Sequence, residues 1–226
     1  MIFKSVQMNQ FETKYLPYLP IFGLGLYIIV YTFAVSAYPG GSINYPDANG
    51  YSFFHNLLCD AMDPITQSGS INGARFMAII SHIILSLTMI SFFYILPKIF
   101  PVKNRNTKLI AYFGVTTMTI FIFMYTEYHD LIVTITGVLG TIALIPLFIE
   151  LKYFKNKGLK KLVYLCYTLS VIVFFIFETK IGLYYLPFLQ KITFGVDACW
   201  VIWTCLIVIN KNKISLKLNP QNIADY

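Results

Sequence analysis

Apolar stretches of roughly the 20 residues that carry a helix across a bilayer recur six times along this chain. They fall at about 19–37, 75–96, 109–126, 131–151, 162–177 and 188–209. Of the 226 residues, 57% are hydrophobic and 12% charged, about half the charge content of a soluble domain. The deficit is spread over the whole length, which leaves no stretch for a soluble domain. The pattern predicts an all-α fold, a single domain over 1–226 built as an integral membrane bundle of six transmembrane helices.

The charges predict an orientation. The N-terminal arm, the second and fourth connections and the C-terminal tail, from Lys4 to Lys217, hold fourteen of the 17 Lys and Arg residues. Only Arg75, Lys180 and Lys191 fall at the opposite end. Basic residues next to spans stay in the cytoplasm, so both termini are expected there. Lys outnumbers Arg fifteen to two, and Ile, Phe, Tyr and Asn abound. This is the product of an AT-rich coding sequence and points to a bacterial cytoplasmic (inner) membrane. The net charge of +7 lies in short loops beside apolar segments, so nucleic acid is not an expected partner. Val35-Ser36-Ala37 resembles a signal-peptidase site, but Pro39 and the length of the segment favour a retained first helix.

One outer connection is unlike the rest. Residues 38–74 are rich in Gly, Pro, Asn and Ser and carry no Lys or Arg. Loops this long are uncommon without a function. Turns are expected at 38–41 and 46–50. Between them and the second span, 52–62 reads as a short interfacial or re-entrant helix, with Ser52 as N-cap and Asp63-Pro64 as its stop. That helix would lid the outer face, placing His55 with Cys59 and Asn56 with Asp60, each pair four residues apart.

Helical spacing also draws polar or small faces on three spans: Arg75-Ala78-His82-Ser86, Asp130-Thr134-Gly137-Thr141, and Gln190-Thr193-Asp197-Trp200-Thr204. Such faces turn away from lipid. His82 lies about 10 Å below Arg75, and Asp197 about 13 Å below Phe188. Charge at such depth is costly, so Asp197 is expected to pair with His82, Arg75 or a loop donor. Glu127, His129 and Asp130 form a second polar group at the outer ends, while Glu178, Lys180 and Lys191 read as solvated loop charges. The candidate pocket therefore comprises His55, Asn56, Cys59, Asp60, Arg75, His82, Glu127, His129, Asp130 and Asp197.

No metal and no cofactor is expected. The three His lie in different elements, and no HxxxH spacing pre-forms a site. The chain lacks the paired-His helix of alkaline-ceramidase-type hydrolases. Cys59, Cys166, Cys199 and Cys205 contain no CxxC pair, so neither a disulfide framework nor a zinc finger is present. No GxSxG motif occurs, and Cys59 near His55 is the sole Cys/His arrangement.

The run Tyr38-Pro39-Gly40-Gly41-Ser42, followed by Gly50 to Asp60, resembles bacterial six-helix membrane proteins of the domain of unknown function 998 type. In that family an aromatic/His-Asn pair precedes a Ser-Asp or Cys-Asp pair, matched here by His55, Asn56, Cys59 and Asp60. The family's Leu-Gly continuation is replaced by Ala61-Met62. More distantly, the chain resembles Frag and autophagy-modulator-like membrane proteins, which implies lipid biology but no reaction.

The expected function is binding of a membrane lipid or small amphiphile in an outward-facing polar pocket, with Arg75 and Lys191 near the head group. The alternatives are a lipid-modifying hydrolase or transferase at the outer leaflet, and a small transporter or structural subunit. In the enzyme, His82 or His55 would be the general base and Asp197 or Asp60 its orienting partner. No protein partner is specified by the sequence.

Overall fold

The structure is a computed structural model that describes residues 14–218. Lys4 lies outside the described residues, as does the side chain of Lys217. Six helices form the molecule: α1 (Leu19–Ser36), α2 (Arg75–Ile95), α3 (Arg105–Phe121), α4 (His129–Tyr153), α5 (Lys157–Thr179) and α6 (Leu186–Leu218). Short 3-10 turns extend several of them, and all six are long and apolar enough to cross a membrane. Among the described residues no strand occurs, only the isolated bridges Gly40–Asn49 and Ile65–Ile71. The outer surface carries large apolar side chains, with Phe22, Phe33 and Phe76 each at least 70% exposed. Such a surface suits lipid rather than water.

Most helices start or stop a few residues beyond the apolar runs. Polar caps explain two of these ends. The Asn104 side chain accepts from Thr107 N at 3.0 Å while Thr107 Oγ1 accepts from Asn104 N at 2.9 Å, a capping box that starts α3 at Arg105. Asn156 accepts from Leu159 N at 3.0 Å and starts α5 at Lys157. These bonds satisfy donors that a helix N-terminus leaves free. Pro97 does not stop the second span at residue 96. It occupies the first turn of a 3-10 extension, Leu96–Ile99, where its missing N–H is not needed.

The larger correction is in the first outer connection. The helix expected over 52–62 is absent. In its place are tight turns and one 3-10 turn, Asp60–Met62. The helix is displaced because side chains capture the backbone groups it would use. Ser52 N donates to Asn56 Oδ1 at 2.9 Å, and Leu57 N to Asp60 Oδ2 at 2.9 Å. The segment 38–74 is a folded cap.

The helices pack as hairpins. α1 lies against α2, α2 against α3, α3 against α4 and α5 against α6, while α6 also touches α1 and α2. α1 and α2 approach closely because Gly23 lies over Thr88; a Cβ on Gly23 would sit 2.0 Å from Thr88 Oγ1. Small residues at helix crossings are the usual device in membranes. The α4 and α5 backbones stand further apart and meet through side chains: Gly137 on α4 receives the ring of Phe174 on α5, Phe148 stacks on Tyr164, and Thr134 Oγ1 donates to Glu178 Oε1 at 2.7 Å.

Two cores hold the bundle. One fills the basic end with Phe92, Ile95, Leu96, Leu151, Leu159 and Val208, all fully buried. There Lys211 Nζ donates to the carbonyls of Lys98 and Phe100 at 2.9 and 3.3 Å, so the tail and the second connection share one end. A smaller core, with Ala34, Tyr38, Ala61, Met62, Ala74 and Ala78, seats the cap on α1 and α2. Between the two cores the bundle is incompletely filled.

Candidate functional site

Three asparagine and aspartate side chains organise the cap. Asn56, 1% exposed, donates to Gly41 O at 2.7 Å and to Asp60 Oδ2 at 3.0 Å. Asn72 Nδ2 reaches three carbonyls, those of Asp60, Ala61 and Asp63, at 3.2, 3.1 and 2.8 Å. Its Oδ1 accepts from Ala74 N at 2.9 Å, which fixes the entry to α2. Gly41 adopts φ 83°, and a Cβ there would lie 2.4 Å from Ser68 N, so only glycine suits this crossing of two loop strands. Burial raises the carboxyl pKa of Asp60 above its usual range, opposed by the bonds from Asn56 and Leu57 and by the charge of Lys191.

The cap is fastened to α6. Leu58 N donates to Gln190 Oε1 at 2.8 Å. Lys191 Nζ donates to the carbonyls of Asn56 and, at 3.2 Å, Pro187. The ammonium also sits 5.7 Å from the Tyr51 ring and 5.5 Å from the Phe53 ring. Lys191 is buried, contrary to its reading as a solvated charge free to meet a head group. Tyr31 on α1 completes the fastening, donating to Leu58 O at 3.0 Å and sharing a hydrogen bond of 2.9 Å with Tyr51 Oη.

Beneath the cap lie two chambers. The larger, about 430 Å³, runs between α3, α4, α5 and α6 and reaches α2 at Met89 and Phe93. On α4 its lining extends from His129 to Leu147, about 27 Å at the helical rise. Most of the lining is apolar and aromatic, including Phe93, Phe121, Phe174 and Phe177. The smaller chamber, about 200 Å³, lies between α1, α2 and α6 and is roofed by Leu58 and Met62. Asp197, Thr193 and Gln190 line both.

The structure distributes the expected site residues among different roles. His82 and Asp197 face the smaller chamber together, yet they do not pair. His82 Nε2 donates to Phe121 O at 2.8 Å. That carbonyl lies where α3 gives way to the 3-10 turn Ile122–Tyr125, and its oxygen has a second acceptor position for the imidazole. The Cys166 thiol is the neighbour of the Asp197 carboxylate. His129 and Cys59 line the larger chamber. Asn56 and Asp60 are internal fasteners of the cap. His55 packs its ring 4.5 Å from that of Tyr45 and 6.1 Å from that of Tyr184. Arg75, Glu127 and Asp130 are exposed, and neither Arg75 nor Glu127 lines a chamber. Asp130 binds His129, Oδ1 to Nδ1 at 2.8 Å. Burial pushes the Cys59 thiol well up, which removes it as a thiolate nucleophile at neutral pH. Among the described residues no group of three His, Cys, Asp or Glu is placed to hold a metal ion.

The sequence reading missed Thr117. Its Oγ1 is buried without a partner among the described residues, as is Nε1 of Trp200, and both residues line the larger chamber. A lone Thr in an apolar span carries no signal, whereas Trp200 stood in the polar face of α6. Comparison with protein-family models, curated proteins and solved structures finds no match for the chain.

Proposed function

We propose that this multi-span membrane protein holds a lipid or other amphiphile in the larger chamber, under the 38–74 cap. The observation that carries the reading is a cavity of about 430 Å³ whose mostly apolar lining includes three residues with unpartnered buried polar atoms, Thr117, His129 and Trp200. That combination characterises ligand sites. Water is a poor filler for an apolar cavity. An acyl chain suits the lining, and would enter from the bilayer where the α4 and α5 backbones stand furthest apart. The positive-inside rule puts the basic end, and both termini, in the cytoplasm of a bacterial inner membrane, with the cap outside.

Native mass spectrometry of the detergent-purified protein tests this. Gly140 lines the chamber, and a Cβ there meets nothing nearer than Thr117 Cγ2 at 4.0 Å, so Gly140→Leu adds a side chain where there is room. The expected result is a co-purified amphiphile on the parent protein that is lost from the variant. A bare parent mass, or equal adducts on both, contradicts the reading.

One observation favours a hydrolase. Asp130 holds His129 through Nδ1, leaving the buried Nε2 without a partner, and His129 lines the chamber. This is the arrangement of an oriented general base. Turnover of an ester-linked lipid that vanishes in His129→Gln would establish it; no turnover is expected from a binding protein.

A further inference from the structure

The polar groups along the chamber specify a head group, given the binding reading above. Asp197 sits on α6 about 17 Å below Leu186, part-way along the larger chamber. Deeper than Asp197 the lining is mostly apolar, with Met89, Phe93, Ile110, Leu144, Leu147 and Val163, and it carries no charged side chain; Trp200 lies one turn further along α6. Among the described residues Asp197 makes no ion pair, and no Lys or Arg lines either chamber. The cations at the cap end are engaged elsewhere or lie at the surface: Lys191 is held by cap carbonyls, and Arg75 and Lys180 are exposed. The neighbouring Cys166 thiol is a neutral partner, within hydrogen-bond reach of the Asp197 carboxylate and 3.7 Å from Val196 O, and supplies no counter-charge. An anionic head would therefore meet a carboxylate and no counter-charge, whereas a cation would meet both the carboxylate and the faces of surrounding aromatic rings.

We infer that the chamber selects amphiphiles with a cationic amine head, placed against the Asp197 carboxylate, with the apolar chain lying along α2, α3 and α4 towards Leu147. Thr117 Oγ1 and Trp200 Nε1 flank this route, and the hydroxyl offers an acceptor to an ammonium N–H. Anionic phospholipid head groups are disfavoured by the same lining.

Matched probes of one chain length test the inference: dodecylamine, dodecanol and dodecyl phosphate. Binding is read by the fluorescence of Trp200 in a Trp203→Phe background, since Trp203 is 38% exposed and would report the surroundings. Each probe competes with a brominated single-chain quencher. The amine is expected to displace the quencher about tenfold more effectively than the phosphate, with the alcohol between, as one desolvated charge pair supplies. Asp197→Asn, which keeps the side-chain shape, is expected to remove that preference. Equal or better displacement by the phosphate, or an amine preference that survives Asp197→Asn, overturns the inference while leaving the binding reading in place. Quenching that no probe displaces, and that Gly140→Leu leaves unchanged, refutes the binding reading itself. The comparison of probes on the parent protein decides the preference even if Asp197→Asn fails to fold.

Discussion

Replacing Asn56 by Ala should unlatch the cap and leave the helices standing. Truncation removes three bonds, to Gly41 O, to Asp60 Oδ2 and from Ser52 N, at 2.7, 3.0 and 2.9 Å, while Gly41 O keeps Tyr38 Oη at 3.1 Å and Asp60 Oδ2 keeps Leu57 N at 2.9 Å. A lost hydrogen bond costs about 0.5–1.5 kcal/mol net, and Ser52 is only half-buried, so water relieves part of its loss. The sum is about 3 kcal/mol, or roughly a hundredfold in the population of the open cap. Chymotrypsin reads that population, because Tyr45, Phe53 and Phe54 expose their side chains on a backbone that the fold otherwise protects. In detergent, cleavage within 38–74 should accelerate about a hundredfold in Asn56→Ala. Helical circular dichroism and its thermal midpoint should change little, since Asn56 touches no helix side chain in the core of the basic end. Cleavage at the parent rate would refute the role of Asn56 as organiser. Loss of helix content together with the cap would refute its independence from the bundle.

Lys191→Met removes the donor to the Asn56 and Pro187 carbonyls, and should open the cap by about 2 kcal/mol, seen as faster cleavage of the same segment. Acidity should act in the opposite direction. Burial raises the carboxyl pKa of both Asp60 and Asp63, so the folded cap takes up protons before the open one. Cap stability is therefore lowest above the raised values and increases as pH falls through them towards the ordinary carboxyl value of about 4. Proteolytic protection measured down that range should rise, and Asp60→Asn should flatten the dependence. Gly23→Leu drives a side chain into Thr88, whose Oγ1 is already committed to Ile84 O at 2.7 Å. The thermal midpoint in detergent should drop, by about 1–3 kcal/mol in stability, while Gly25→Leu, on open surface, should be neutral.

The helices were legible because lipid demands long apolar runs, and six runs became six helices. Their ends were less so, because Asn104 and Asn156 start helices among polar residues that hydropathy assigns to loops. In the cap, the spacing of Asn56 and Asp60 was read as one helix face. Their side chains do meet, at 3.0 Å, but they meet through turns, having taken the backbone donors a helix would need. Asp197 and His82 face one chamber. Their expected bond is missing because Phe121 O, at the end of α3, takes the His82 proton donor instead. Lys191 was misjudged because burial under a distant loop leaves no local pattern. A cavity is harder still, since it is set by how helices splay and by which side chains stop short, as at Gly137 and Gly140.

Saturable access to Trp200 tests the central claim most directly. In the Trp203→Phe protein, a brominated single-chain amphiphile should quench Trp200 to a plateau, and Gly140→Leu should abolish the plateau. Quenching that grows in proportion to amphiphile without saturating, and is indifferent to Gly140→Leu, would contradict an occupied chamber within the bundle.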